Sequence, residues 1–159
     1  MIGVIKISIL VVSSKIAEGQ EEDKGKKRLN ELIASIPATL LSYEVVPDAA
    51  STIRERLTAL ADGGEADVVF TVGGTGVRPT DIVPDVTREV ADKEISGIGE
   101  AMRAESLKKV KTAMLSRSTA GIRGKTLIVN LPGSPGGAQE NLSVVLPVLE
   151  HTIDKIQGR

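Results

Sequence analysis

The segment Val68-Val69-Phe70-Thr71-Val72, running straight into Gly73-Gly74-Thr75-Gly76, constrains the fold more than any other stretch of the chain. A short apolar run rich in β-branched side chains, with no polar alternation, is expected of a strand buried on both faces. Such strands belong to parallel sheets covered by helices. The other segments alternate between strand and helix patterns, as that architecture requires. In residues 4–12, Ile5, Ile7 and Ile9 share one face while Lys6 and Ser8 share the other, which is strand periodicity. Residues 13–20 read as a loop and 22–36 as a helix ended by Pro37. Residues 40–46 form a second strand, punctuated by Pro47-Asp48. Ile53, Leu57 and Leu60 recur at helical spacing, giving a helix over 50–61 that stops at Gly63-Gly64. Further on, a short helix starts near Pro84, another covers 99–109, and residues 114–117 are a candidate short strand. Residues 126–131 are a clearer strand, 132–137 a glycine-rich turn, and 138–156 the last helix. The expected fold is three-layer α/β/α around a mostly parallel sheet, with residues 1–159 forming one domain.

Composition removes several functional classes. The net charge of −1 leaves no basic surplus of the kind a nucleic-acid binder shows. No cysteine is present, which excludes disulfides, thiolate metal sites and cysteine nucleophiles. His151 is the only histidine, so a multi-histidine metal site is excluded as well. Its place among apolar residues of the last helix suits a packed or surface side chain. Tyr43 and Phe70 are the only aromatic residues, so stacking on nucleobases is not expected and the core has to be aliphatic. Residues 1–12 are apolar but lack a basic leader segment, and no small-residue cleavage site follows. No apolar run is long enough to span a bilayer. A cytoplasmic protein without a membrane partner is expected.

In parallel sheets ligands bind beyond the carboxyl ends of the strands, which directs attention to the loops after Val12, Val46, Val72 and Leu131. Gly73-Gly74-Thr75-Gly76 permits positive φ and exposes successive amides, a cradle for phosphate. Asp81, just beyond, repels a phosphate directly, but beside one it suits Mg²⁺, which prefers carboxylate and phosphate oxygens. A tight turn with a solvated Asp81 is the plain alternative. Pro132-Gly133-Ser134-Pro135-Gly136-Gly137 leads into a helix whose free amides also suit phosphate, with the Ser134 hydroxyl as an added donor. The alternative is a stiff turn. Asp48 could face Asp81 across the cleft and share a metal, offsetting charge in phosphoryl transfer. On local sequence, capping of the following helix is its plainer role. The basic run around Asp23, from Lys24 to Arg28, opposes the dipole of its own helix, which an anionic ligand would offset. A solvated basic face is the default. Two near misses are rejected. Gly124-Lys125-Thr126 lacks the first glycine of a P-loop and precedes a strand, and Gly74-Thr75-Gly76 meets Pro79 where a dinucleotide fingerprint needs glycine.

Taken together these loops resemble one family. Thr71-Val72-Gly73-Gly74-Thr75-Gly76 followed by Pro79-Thr80-Asp81-Ile82-Val83-Pro84 is similar to the TTGGTG…PRDVTPEAT signature of the MogA/MoaB proteins of molybdenum cofactor biosynthesis. Residues 120–134 resemble the AGIRGKTLIINLPGS stretch of the gephyrin G domain. Val46-Pro47-Asp48, Glu22-Asp23-Lys24-Gly25 and Gly97-Ile98-Gly99-Glu100 match further family segments in order. The sequence departs from the pattern at Ser14, Val72, Thr80 and Val83, with Arg78 two residues before Thr80.

The resemblance implies a trimeric molybdopterin adenylyltransferase that binds Mg²⁺ and ATP. It would transfer AMP to the molybdopterin phosphate, release pyrophosphate, and hand the product on to a metal-insertion protein for molybdenum or tungsten. It implies Asp81 and Asp48 as the catalytic, metal-holding pair. Gly73, Gly74, Thr75 and Gly76 would hold nucleotide phosphates, with Ser13 and Asp23 alongside, and Gly133 and Ser134 would hold the pterin or its phosphate. A non-catalytic molybdopterin-binding or carrier module of the same pathway is the alternative.

Overall fold

The computed structural model describes residues 3–159. Met1 and Ile2, at the start of the apolar segment weighed as a leader, lie outside the described residues. Among those described, a six-stranded sheet has the order β2-β1-β3-β6-β5-β4. Strands β1 (Ile5–Val12), β2 (Ala38–Val46), β3 (Val68–Val72) and β6 (Thr126–Leu131) are parallel. Strands β5 (Ala120–Arg123) and β4 (Lys93–Glu94) extend that edge by antiparallel pairing. The mostly parallel sheet expected from sequence is therefore the one observed.

Alternation within each strand sends side chains to two cores. Ile7, Ile9, Val11, Phe70 and Val129 pack on one face, against Leu29 and Ile33 of α2 (Lys26–Ala34), Met102 of α5 (Ser96–Leu107), and Leu142, Val145 and Leu149 of α6 (Pro135–Ile156). Leu10, Val12, Val69 and Ile128 face the other side, against Ile53 and Leu57 of α3 (Ala50–Asp62) and Val83, Val86 and Val90 of α4 (Val83–Val90). Each such side chain contributes about 1.5–3 kcal/mol on leaving water. One polar group crosses the second layer. The fully buried Asn130 amide donates to Thr71 Oγ1 at 3.1 Å and Thr87 Oγ1 at 2.9 Å, and its Oδ1 accepts from the Thr119 amide at 3.3 Å. Those bonds fix α4, the helix that follows the glycine loop, to β3 and β6.

Several boundaries differ from expectation. Residues 114–117 are not a strand. A 3-10 turn covers Lys111–Leu115 with no residue buried, and the added strand is β5 instead. Gly124, at φ +60°, is the first residue of a two-residue loop that pairs Arg123 with Thr126, the glycine placement a tight hairpin favours. Helix α2 begins at Lys26, not residue 22, with Gly25 as its N-cap. Helix α6 begins earlier than expected, at Pro135, because Ser134 caps it, so Gly136 and Gly137 are its first turn. Residues 14–17, read as loop, are one helical turn, α1 (Ser14–Ala17), capped by Ser13.

Candidate active site

Because β1, β2, β3 and β6 are parallel, the loops after Val12, Val46, Val72 and Leu131 leave the sheet on one side. The chain leaves β1 toward β2 in one direction and returns to β3 on the other, and this reversal opens a crevice between the loops. Ser13 ties the first two loops together by donating its amide to the Val46 carbonyl at 2.9 Å. A reciprocal clasp follows. Asp48 Oδ2 accepts from the Ser14 amide at 3.2 Å, and the Asp48 amide donates to Ser14 Oγ at 2.9 Å. Helix α3 has Ala49 as its N-cap and no side-chain cap, so the capping role read for Asp48 is corrected: its carboxylate serves the β1 loop instead.

The β3 loop owes its shape to two glycines. Gly73 has φ +100° and Gly74 φ +66°. A Cβ on Gly73 would stand 2.5 Å from the Val12 carbonyl oxygen, and one on Gly74 2.6 Å from Val83 Cγ2. Gly133 also packs closely, since its Cβ would lie 3.3 Å from Gly73 Cα. Three loops therefore meet backbone to backbone. Gly73 spends its amide on the Leu131 carbonyl at 2.9 Å. The next three carbonyls are also bound within the protein: Gly74 O by the Val83 amide at 3.1 Å, Thr75 O by the Arg117 amide at 2.7 Å, and Gly76 O by Arg117 Nε at 2.8 Å. The amides of Gly74, Thr75 and Gly76 donate to no protein group among the described residues. A row of unspent amides in a glycine turn is an anion-binding arrangement.

Asp81 closes the loop. Its Oδ2 accepts from the Arg78 amide at 3.0 Å, while its own amide donates to the Arg78 carbonyl at 2.9 Å. Asp48 and Asp81 each keep a second carboxylate oxygen with no protein partner among the described residues. Both line one cavity of about 600 Å³, together with Ser13, Asp23, Gly73, Gly74 and Gly133. Thr75, Gly76 and Ser134 instead line a second cavity of about 570 Å³, with Arg103, Lys109 and Asn141. The glycine loop is a wall common to both. Ser134 Oγ accepts from the Gly137 amide at 3.2 Å, so the hydroxyl caps α6 while its proton stays available.

The basic run contributes less than its charge suggests. Lys24, Lys26, Lys27 and Arg28 line none of the first cavity, whose cationic side chains are Lys15 and Arg78. Lys26 Nζ sits 4.7 Å from the centre of the Tyr43 ring. Asp23 receives the Tyr43 hydroxyl hydrogen bond, and Tyr43 is partly buried. Burial first, then the Asp23 carboxylate, pushes the Tyr43 phenol above its usual range. An ionisable group that is neutral when protonated, and whose value rises on folding, stabilises the fold fully below about pH 10. That contribution is lost as pH climbs through the raised value. As Tyr43 is the only tyrosine, absorbance at about 295 nm should show no tyrosinate through about pH 10 in folded protein, ionisation arriving together with unfolding. A midpoint near pH 10 with native circular dichroism would contradict the Asp23–Tyr43 contact.

Residues 8–151 match the family described as probable molybdopterin binding domain. The chain belongs to this family. Among its relatives, a molybdopterin adenylyltransferase of Helicobacter pylori J99 is 40% identical over 156 residues, covering 97% of this chain and 89% of that protein. The molybdopterin adenylyltransferase of Escherichia coli K12 is 39% identical over 143 residues, covering 89% and 73%. The crystal structure of the molybdopterin biosynthesis enzyme MoaB from Thermus thermophilus superposes with a TM-score of 0.92 at 43% identity, covering 98% of each chain.

Two residues around this site escape sequence reading. Lys15 looks like any exposed lysine until the β1 loop folds over the cavity. Arg117 falls in the segment read as a strand, yet its backbone and side chain hold the glycine loop. His151 is exposed and distant in sequence from every loop of the first cavity, in keeping with a surface role.

Proposed function

We propose that this chain is a molybdopterin adenylyltransferase of molybdenum or tungsten cofactor biosynthesis. The observation that carries the reading is the meeting of Asp48 and Asp81 in one cavity walled by a glycine loop whose Gly74, Thr75 and Gly76 amides are unspent. ATP phosphates lie along the amides of Gly74, Thr75 and Gly76 where this loop divides the two cavities, with Lys15 and Arg78 offsetting their charge from the first cavity. The pterin occupies the second cavity beside Ser134, which brings its phosphate to the shared loop. An oxygen of that phosphate attacks the α-phosphorus of ATP. The new P–O–P bond forms as the bond to the β-phosphate oxygen breaks, and that oxygen leaves with the electron pair as pyrophosphate. The attacking oxygen is already anionic, so no general base is required, and the lone exposed histidine is no obstacle. Residues hold the reactants in line and balance charge.

The donor set fits Mg²⁺. No cluster of three or more His, Cys, Asp or Glu side chains occurs among the described residues, so a closed cage is not on offer. Two carboxylates with one free oxygen each, beside a phosphate cradle, are what Mg²⁺ uses when substrate oxygens complete its shell. Asp48 and Asp81 would hold it, and it would neutralise the triphosphate oxygens. Residues 1–159 act as one such domain in a homotrimer, and the product passes to a metal-insertion protein. No helix among the described residues is long and apolar enough to cross a membrane, and a cytoplasmic setting suits the substrates.

Incubation with molybdopterin, ATP and Mg²⁺ should yield pyrophosphate and a pterin–AMP adduct. Chelation with EDTA should slow release roughly 100-fold or more. Tight molybdopterin binding without pyrophosphate release would replace this reading with the carrier module.

A further inference from the structure

We infer, resting on the adenylyl-transfer reading of the site, that Arg117 is a positioning residue which sets the direction of the Gly76 amide in the phosphate-binding loop and the place of Asp81. Five contacts converge on this one residue. Its amide donates to Thr75 O at 2.7 Å, and its Nε to Gly76 O at 2.8 Å. Its Nη2 donates to the Asp81 carbonyl. Its Nη1 and Nη2 each reach an oxygen of Asp85 at 2.9 Å, a bidentate pair. A hydrogen bond from Arg117 holds the Asp85 carboxyl below the usual carboxylate range, so the pair stays ionised at neutral pH. The arginine is itself braced: Arg103 Nη1 donates to Ser118 O at 2.6 Å and Ser116 O at 3.3 Å, on either side of it.

The consequence follows from peptide geometry. In a trans peptide the carbonyl of one residue and the amide of the next lie in one plane and point in opposite directions. No cis peptide occurs among the described residues. Thr75 O held toward Arg117 therefore turns the Gly76 amide away from it. Gly76 O held by Nε does the same for the Val77 amide. The third plane, Gly74 O to the Thr75 amide, is set by the Val83 amide. Arg117 thus orients two amides and anchors the main chain of Asp81 from outside the first cavity, which it does not line. A planar guanidinium can bridge Gly76, Asp81 and Asp85 at once. A lysine ammonium keeps the charge but lacks the fork.

Arg117→Lys should lower kcat/KM for ATP about 100-fold while the molybdopterin Kd stays within about threefold. Arg117→Ala should lose at least as much, and millimolar methylguanidinium should restore about tenfold of it. General destabilisation would predict harm from added guanidinium, and loss of both substrates together. Hydrogen exchange needs no substrate. The amides of Arg78, Asp81 and Val83, whose acceptors belong to this loop, should exchange at least about tenfold faster in Arg117→Lys, with β1 unchanged. Unchanged exchange at those three amides overturns the assignment, as does turnover within about threefold of the parent. A parent chain that binds both substrates but makes no adduct would sink the adenylyl-transfer reading instead, and the exchange rates alone would then decide the role of Arg117.

Discussion

Asp81→Asn is expected to cut adenylyl transfer roughly 1,000-fold or more, with molybdopterin affinity close to that of the parent. The substitution is informative because it separates charge from shape. Asp81 Oδ2 accepts from the Arg78 amide, and a side-chain amide oxygen can accept the same bond. The turn from Arg78 to Asp81 is also held by the Asp81 amide and by Arg117 on the Asp81 carbonyl, neither of which the substitution touches. What disappears is one negative charge and one strong metal ligand facing the phosphates. A loss of about 1,000-fold corresponds to about 4 kcal/mol of transition-state stabilisation, a reasonable share for a group that balances charge only as the phosphorus is attacked. Asp48→Asn should act in the same direction, because the clasp with Ser14 also survives it and one charge facing the phosphates is lost. Pyrophosphate release and adduct formation measure the first quantity, and equilibrium binding of molybdopterin measures the second. Equal turnover by Asp81→Asn and parent would refute a charge role for Asp81.

The strands that build the crevice were legible because each carries its own signal. β3 is short, mostly apolar and buried on both faces, and the turn that ends it contains three glycines. Asp48 and Asp81 stood out for the same reason, as carboxylates close behind such punctuation. Their presence in one cavity depends on the β2-β1-β3 order, which no local pattern encodes. β5 is different. Ala120-Gly121-Ile122-Arg123 has little strand character of its own. It is held by its ladder to β6 and by Arg123, which reaches the Val90 carbonyl at 2.8 Å and both oxygens of Asp62. Arg117 was illegible more completely. Its side chain bonds main-chain carbonyls 41 and 36 positions away, and a carbonyl looks the same whatever residue carries it. The division of the site into two cavities was likewise hidden. Thr75 and Gly76 follow Gly73 and Gly74 directly, but the positive φ values turn the chain so that the first pair lines one cavity and the second pair the other, with the loop as their common wall.

Gly73→Ala should be the most damaging single methyl group in the crevice, costing about 3–5 kcal/mol. Two penalties add. An L side chain at φ +100° is strained by about 1–3 kcal/mol. The new Cβ would also lie 2.5 Å from the Val12 carbonyl oxygen, and that oxygen belongs to the main chain at the end of a buried central strand. It cannot rotate aside as a side chain would. For a chain of this size the loss should lower the melting temperature by about 10 °C or more. Gly19→Ala separates the two penalties, since Gly19 has φ +75° but nothing within 4 Å of its Cβ position. It should lose only about 1 kcal/mol and a few degrees. Thermal unfolding of the two variants side by side tests this, and a Gly73→Ala melting point no lower than that of Gly19→Ala would show that β1 gives way. The functional loss should exceed what instability alone explains. Any shift that relieves the overlap moves Gly73 relative to both Val12 and Gly133, and so disturbs the β1, β3 and β6 loops together. Variant protein held well below its melting point should therefore still release pyrophosphate at least about 100-fold more slowly than the parent.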